Sequence, residues 1–279
     1  MESIRNRRGK LRTKRLFLKK GTCSNTFFYI LNREFNNPMD IEETAIDPLA
    51  GGIVNHGFQC GMLWGAAMAL GAEAYKRCNS DINKAAGLTV LGTQSLLDSF
   101  VARTGTVNCS EITRLDFAGK WQLVKYLLSG KFYNCFRMAG KWAPEAIKTA
   151  KKALDKEPSD LPDECVSCAF LTAREMGASD KEAVMLSGFA GGLGLSGEGC
   201  GALAAAIWMK TYKKLKTDTW KYAISDPLTT DLMKRFFKET DNKITCKELC
   251  NRSFASIEEH SDFISNGGCE PLIHFLANL

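Results

Sequence analysis

The chain has 279 residues, 45% of them hydrophobic, with 11 cysteines and a formal net charge of +6. That length can bury a sizeable core, as one large domain or two of about 140 residues, and the longest apolar run, around Ala202 to Met209, is far short of the roughly 18 residues a bilayer span needs, so no transmembrane helix is expected. Leu16-Phe17-Leu18 is too short for the apolar region of a secretory signal; the chain reads as cytoplasmic, where an odd set of thiols points to metal binding or redox chemistry rather than a disulfide framework.

Nine of the 37 Lys and Arg fall in residues 1–20, against the single acid Glu2, so residues 1–16 form a basic arm and the body is near neutral. Such an arm suits nucleic acid, an anionic membrane surface or an acidic partner, but no aromatic residue interleaves its charges before Phe17, and a solvated helix start is the simpler reading. An amphipathic helix is predicted over Ser24 to Phe35, ended by Pro38, and a short acidic one over Asp40 to Ile46. Helices follow from Cys60 to about Arg77 and from Ile82 to about Arg103, the second with Leu88, Leu91, Leu96 and Phe100 at helical spacing. Asn108 with Glu111 has the form of a capping box that puts Cys109 in a first turn. Helical pattern then covers Ala118 to Leu128 and Tyr133 to Leu154, with Cys135 near the start of the latter and Pro144 kinking or dividing it.

Leu154 to Glu164 is acidic, carries two prolines and has no periodicity, which marks a linker. Beyond it, helices are predicted from Cys165 to about Met176, from the cap Ser179 to Leu186, from Cys200 to about Lys216 and from Asp226-Pro227 to Glu239. Thr245-Cys246-Lys247-Glu248 places a cysteine in another capping box, and a last helix starts at Gly268-Cys269-Glu270-Pro271 and runs to Leu276. Alternating β-branched strands are absent, so the fold is expected to be all-α.

One stretch occurs twice. Gly191-Gly192-Leu193-Gly194-Leu195-Ser196-Gly197-Glu198-Gly199-Cys200-Gly201 leads into an Ala-rich helix, and Gly51-Gly52-Ile53-Val54-Asn55-His56-Gly57-Phe58-Gln59-Cys60-Gly61 does the same 140 residues earlier. A thiolate at such a joint gains from the free N–H groups and the positive end of the helix dipole. Aligning the halves matches Cys23 with Cys165, Cys60 with Cys200, Cys109 with Cys246 and Cys135 with Cys269. The chain therefore divides into the arm 1–16, a four-Cys helical module 17–153, a linker 154–163 and a second four-Cys module 164–279, packed with pseudo-twofold symmetry. Cys78, Cys168 and Cys250 have no counterpart and read as small buried apolar residues.

At these residues the sequence resembles the C-GCAxxG-C-C family of redox-active proteins. The resemblance is closest over 164–279, where Cys165, Gly188-Phe189-Ala190-Gly191-Gly192, Gly199-Cys200-Gly201-Ala202, Cys246-Lys247-Glu248-Leu249 and Cys269 fall in family order. Residues 17–139 follow the same order more weakly, with Gly65 kept after Cys60, whereas Ala205 replaces that glycine in the second half and Pro48-Leu49 replaces Gly188-Phe189 in the first. It implies helical modules whose four cysteines bind an iron–sulfur cluster or carry out thiol redox chemistry. A related module accompanies haem in split-Soret cytochrome c, but no Cys-x-x-Cys-His is present for covalent haem.

Four thiolates are the ligand count of a 2Fe–2S or 4Fe–4S cluster, and equally of structural zinc. Widely spaced single ligands at helix starts suit a cluster inside a helical bundle, one on Cys23, Cys60, Cys109 and Cys135 and one on Cys165, Cys200, Cys246 and Cys269, in an electron-transfer protein with a redox partner protein. The alternatives are a thiol/disulfide oxidoreductase using Cys246 with Cys250 or Cys165 with Cys168, and a structural-metal module with a docking arm. Gly192 to Gly197 fits G-x-G-x-x-G but lacks the strand before it that a dinucleotide site needs. His56 reads as a loop-surface residue, because Ser196 stands at its partner position.

Overall fold

The computed structural model describes residues 13–79, 81–115, 132–156, 161–162, 164–217 and 226–279. The helix expected over Ala118 to Leu128, residues 1–12 of the basic arm and much of the expected linker lie outside them. The first half contributes α1 (Cys23–Glu34), α2 (Asp40–Ala45) with a 3-10 turn at Asp47–Leu49, α3 (Gly61–Arg77), α4 (Ile82–Thr104), α5 (Cys109–Thr113) and α6 (Phe132–Leu154). The second contributes α7 (Cys168–Glu175), α8 (Asp180–Ser187), α9 (Gly201–Thr217), α10 (Pro227–Glu239), α11 (Cys246–Cys250), α12 (Ile257–Ser265) and α13 (Glu270–Ala277). Among the described residues there is no strand, only the isolated bridges Gln59–Asn108 and Gly199–Thr245. The fold is all-α. No described helix is long and apolar enough to cross a membrane.

Local chemistry sets the helix starts. Thr22, Asp81, Ser167, Asp226 and Ser256 each accept a backbone N–H three residues on, and Ser179–Glu182 and Thr245–Glu248 form complete capping boxes. The capping box expected at Asn108 does not form: the Asn108 side-chain amide donates to the Glu111 carboxylate, and the Asn108 backbone N–H, which Glu111 would have taken, goes to Thr106 Oγ1. Helix α6 runs through Pro144 undivided. Helix α7 starts at Cys168, three residues later than expected, and α12, capped by Ser256, is an element the hydrophobic pattern did not signal.

The halves share one apolar core. Helix α3 is buried over Gly61 to Ala74, as its small and apolar residues on every face require; it packs on α1 and α4 of its own half and on α8 of the other. Reciprocally, α9 packs on α7 and on α2 of the first half. Each cysteine-bearing long helix is thus walled on one side by the opposite half, and Trp64 meets Phe189 edge-on at 4.6 Å across that boundary.

Both glycine stretches form a left-handed turn. Gly51, Gly52, Ile53, Val54 and Asn55 all have φ between 50° and 78°, and Gly191 to Leu195 between 58° and 80°. A left-handed residue costs roughly 1–2 kcal/mol when it carries a side chain. Fully buried Ile53 and Leu193 offset that cost. The carbonyls are used: Val54 N–H donates to Pro48 and Gly57 N–H to Gly51, as Gly194 does to Gly188 and Gly197 to Gly191.

Candidate cysteine centres

Each left-handed turn ends in the same hydrogen-bond grid. Cys60 N–H donates to Val107 O at 2.8 Å and Cys109 N–H to Phe58 O at 2.7 Å; Cys200 N–H donates to Ile244 O at 2.8 Å and Cys246 N–H to Glu198 O at 2.7 Å. Two cysteines distant in sequence are clamped side by side in each half.

In the first half Cys23 opens α1 behind its Thr22 cap, and its sulfur lies where a Cβ on Gly61 would come within 2.5 Å, so only glycine fits there. The Cys60 thiol donates to Cys23 and pushes its pKa down; burial opposes this, and the N–H groups of Gly51, Cys23 and Ser24 add to it. Cys60, as the donor, is pushed up well above the usual thiol range, with burial and the charges of Cys23 and Cys109 acting the same way. Cys109 is pushed well up by burial and then by the charges of Cys23 and Cys135. Cys135, near the start of α6, lies close enough for its charge to act on Cys109. The structure brings Cys23, Cys60, Cys109 and Cys135 into one neighbourhood.

In the second half the equivalent of Cys23 is Cys168. It too opens a helix behind a hydroxyl cap, Ser167, and it takes an N–H from Gly191, the counterpart of the Gly51 N–H on Cys23. Burial pushes Cys168 up to about 11 against those N–H groups. Cys200 is pushed up to about 12 by burial, then by the charge of Cys168, with the N–H groups of Leu203 and Ala202 opposing. Cys250 Sγ is in hydrogen-bond contact with Cys246 Sγ at 3.8 Å and with Cys269 Sγ at 3.6 Å, and Cys246 and Cys269 are both pushed up, first by that contact and then by burial. Those two bonds bring Cys250 down to about 4 against its burial. The second centre holds five thiols: Cys168, Cys200, Cys246, Cys250 and Cys269.

Cys165 does not join them. The pairing of Cys23 with Cys165 is corrected: Cys165 sits before the helix, buried among Ala86, Val90, Ala190, Leu195 and Ile257, and burial first and then Glu258 push it up to about 12. Family order alone could not separate two cysteines three residues apart; the Ser167 cap, which places Cys168 as Thr22 places Cys23, was the readable signal. Cys250 was left out of the metal quartet and named only in the thiol/disulfide alternative, where its one-turn spacing from Cys246 was the signal. His56 is exposed, as expected, and its Nδ1 lies 2.8 Å from Val54 O and 3.1 Å from Ile53 O in the left-handed turn. His260, outside the repeated set, is buried edge-on to Phe254 and held down to about 4 by its burial, against the charge of Cys250.

Among the described residues, no three Cys, His, Asp or Glu side chains stand ready around a common metal position. In the second centre Cys250 Sγ instead lies 3.8 Å from Cys246 Sγ and 3.6 Å from Cys269 Sγ. Each centre is all-sulfur, largely buried and supplied with backbone N–H donors.

Compared with known families, the chain matches the one described as "Putative redox-active protein (C_GCAxxG_C_C)" twice, over residues 22–148 and 164–279. No curated protein and no solved structure matches it. The two matches cover the two cysteine neighbourhoods built by the repeated turn-and-clamp grid, and the chain belongs to the C_GCAxxG_C_C family as a tandem duplication.

Proposed function

We propose that each half holds an iron–sulfur cluster on four thiolates, Cys23, Cys60, Cys109 and Cys135 in the first and Cys168, Cys200, Cys246 and Cys269 in the second, and that the protein carries electrons between a reductase and an oxidoreductase partner. The observation that carries this reading is the repeated clamp: the same backbone grid holds two cysteines distant in sequence side by side in each half, Cys60 with Cys109 and Cys200 with Cys246, with further cysteines from separate elements beside them. The donor chemistry fits. Buried thiols at this depth stay protonated on their own, and a positively charged inorganic core is what would let all four ionise together. When bound, a cluster supplies one-electron chemistry at a potential set by its sulfur hydrogen bonds and burial.

The chain's own contribution is to orient and exclude. The N–H groups of Gly51 and Met62 in one half, and of Gly191 and Ala202 in the other, are aimed at cysteine sulfur and stabilise negative charge there. The apolar walls keep water from the buried cysteines. The basic arm gives an electron-transfer partner with an acidic surface a place to dock. Anaerobic reconstitution with iron and sulfide tests the reading by visible and EPR spectra with iron and sulfide analysis. Two clusters per chain are expected, and a colourless, iron-free product overturns it.

A further inference from the structure

The halves differ at one decisive position. The helix turn that carries Cys109 ends at Thr113, whose hydroxyl donates to its own backbone at Cys109 O across 2.6 Å; the matching turn from Cys246 ends at Cys250. Duplication has therefore left four thiols on one side and five on the other. The additional one touches two of its neighbours.

We propose that Cys250 and Cys269 form a reversible disulfide, giving the second half a thiol–disulfide exchange activity that the first half lacks. The two sulfurs are 3.6 Å apart and both half-exposed, whereas Cys246, at 3.8 Å from Cys250, is buried. Contraction to the roughly 2.05 Å of a bond is a movement of about 1.5 Å. Both residues stand where the backbone can supply it: Cys250 is the last residue of α11, followed by left-handed Asn251, and Cys269 is the cap residue before α13. Cys246, by contrast, is fixed in the first turn of its helix by its N–H bond to Glu198 O.

The oxidant is a low-molecular-weight disulfide. Cys250, as thiolate, attacks one sulfur of that disulfide, forming a mixed disulfide and releasing one thiol. Cys269 then attacks the Cys250 sulfur, forming the intrachain bond and releasing the second thiol. Two protein thiols are oxidised, one external disulfide is reduced to two thiols, and the two protein protons leave with them. The proposal rests on the reading above only in counting Cys269 among the second quartet; there, the bond would withdraw a ligand and leave the second centre unable to load until it is reduced.

The test uses the full-length, chelator-treated and reduced chain, mixed anaerobically with glutathione disulfide, blocked by alkylation and mapped by mass spectrometry. A Cys250–Cys269 linkage is expected in the wild type, with one glutathione trapped on Cys250 in Cys269→Ser. Free, fully alkylated Cys250 and Cys269 after oxidation, or a linkage through Cys246 instead, overturns the proposal. Iron analysis of the reduced chain, reconstituted without prior exposure to the disulfide, separates the two readings: linkage on oxidation with no iron loading of the reduced chain sinks the clusters alone, and iron loading without linkage on oxidation sinks the exchange activity alone.

Discussion

Gly61→Ala tests the geometry of the first centre most directly. The added methyl would lie 2.5 Å from Cys23 Sγ, 3.0 Å from Ala50 Cα and 3.2 Å from Ser24 N, so two of its three nearest neighbours are backbone and only the sulfur can give way. Restoring an ordinary contact moves that sulfur by about 1 Å, out of reach of the Cys60 thiol. Overpacking of this kind costs roughly 1–3 kcal/mol, and the better helix propensity of alanine returns at most about 1 kcal/mol, less at the first residue of a helix. A net loss of about 1–2 kcal/mol is expected in urea denaturation. Reconstituted iron should fall by about half, because only the first quartet is disturbed. A variant as stable as the wild type and equally loaded would refute the reasoning, since it would show that Cys23 has space the structure denies it.

Cys168→Ser should remove the iron of the second centre while Cys165→Ser leaves it in place, read by iron analysis of the two reconstituted variants; the reverse pattern would restore the sequence-based pairing. Asp47, buried and accepting from Thr22 Oγ1 at 2.6 Å, has its pKa raised to about 6 by burial, with Thr22, Asn25 and Lys20 opposing. A carboxyl harder to ionise folded than unfolded adds stability at low pH that is lost as pH rises through about 6. Relative to Asp47→Asn, the wild type should therefore lose roughly 2 kcal/mol between pH 4 and pH 7, by denaturant midpoints at each pH. Glu43 is a fully buried carboxylate taking Arg33 at 2.9 Å, Asn32 at 3.1 Å and Lys20 at 3.5 Å, so Glu43→Ala should cost roughly 3–5 kcal/mol in denaturant unfolding by leaving Arg33 and Asn32 short of a partner.

Much of this was legible in the chain because the signals were local. Caps such as Thr22, Ser179 and Thr245 act within one turn, and the glycine stretches announced a joint wherever they lay. The left-handed turn was not legible, since Ile53, Val54 and Leu195 are residues that avoid positive φ and adopt it only under tertiary packing. Asn108 failed as a box cap because its own N–H is taken by the Thr106 hydroxyl, and its side-chain amide donates to Glu111 instead of accepting. The Cys165 pairing went astray because thiol order was weighed above the hydroxyl cap that fixes which thiol enters the helix. The shared core was hidden as well; nothing in either half's pattern says that α3 leans on α8.

Gln59, the residue before Cys60, is fully buried, and its amide donates to Gly192 O at 2.6 Å and to Gly199 O at 3.2 Å, the latter immediately before Cys200. One side chain is the tie-rod between the two thiol-bearing loops. A shift of either loop would strand two carbonyls in the interior or drag its opposite number along, so the two cysteine-bearing loops are held in one register by a single residue.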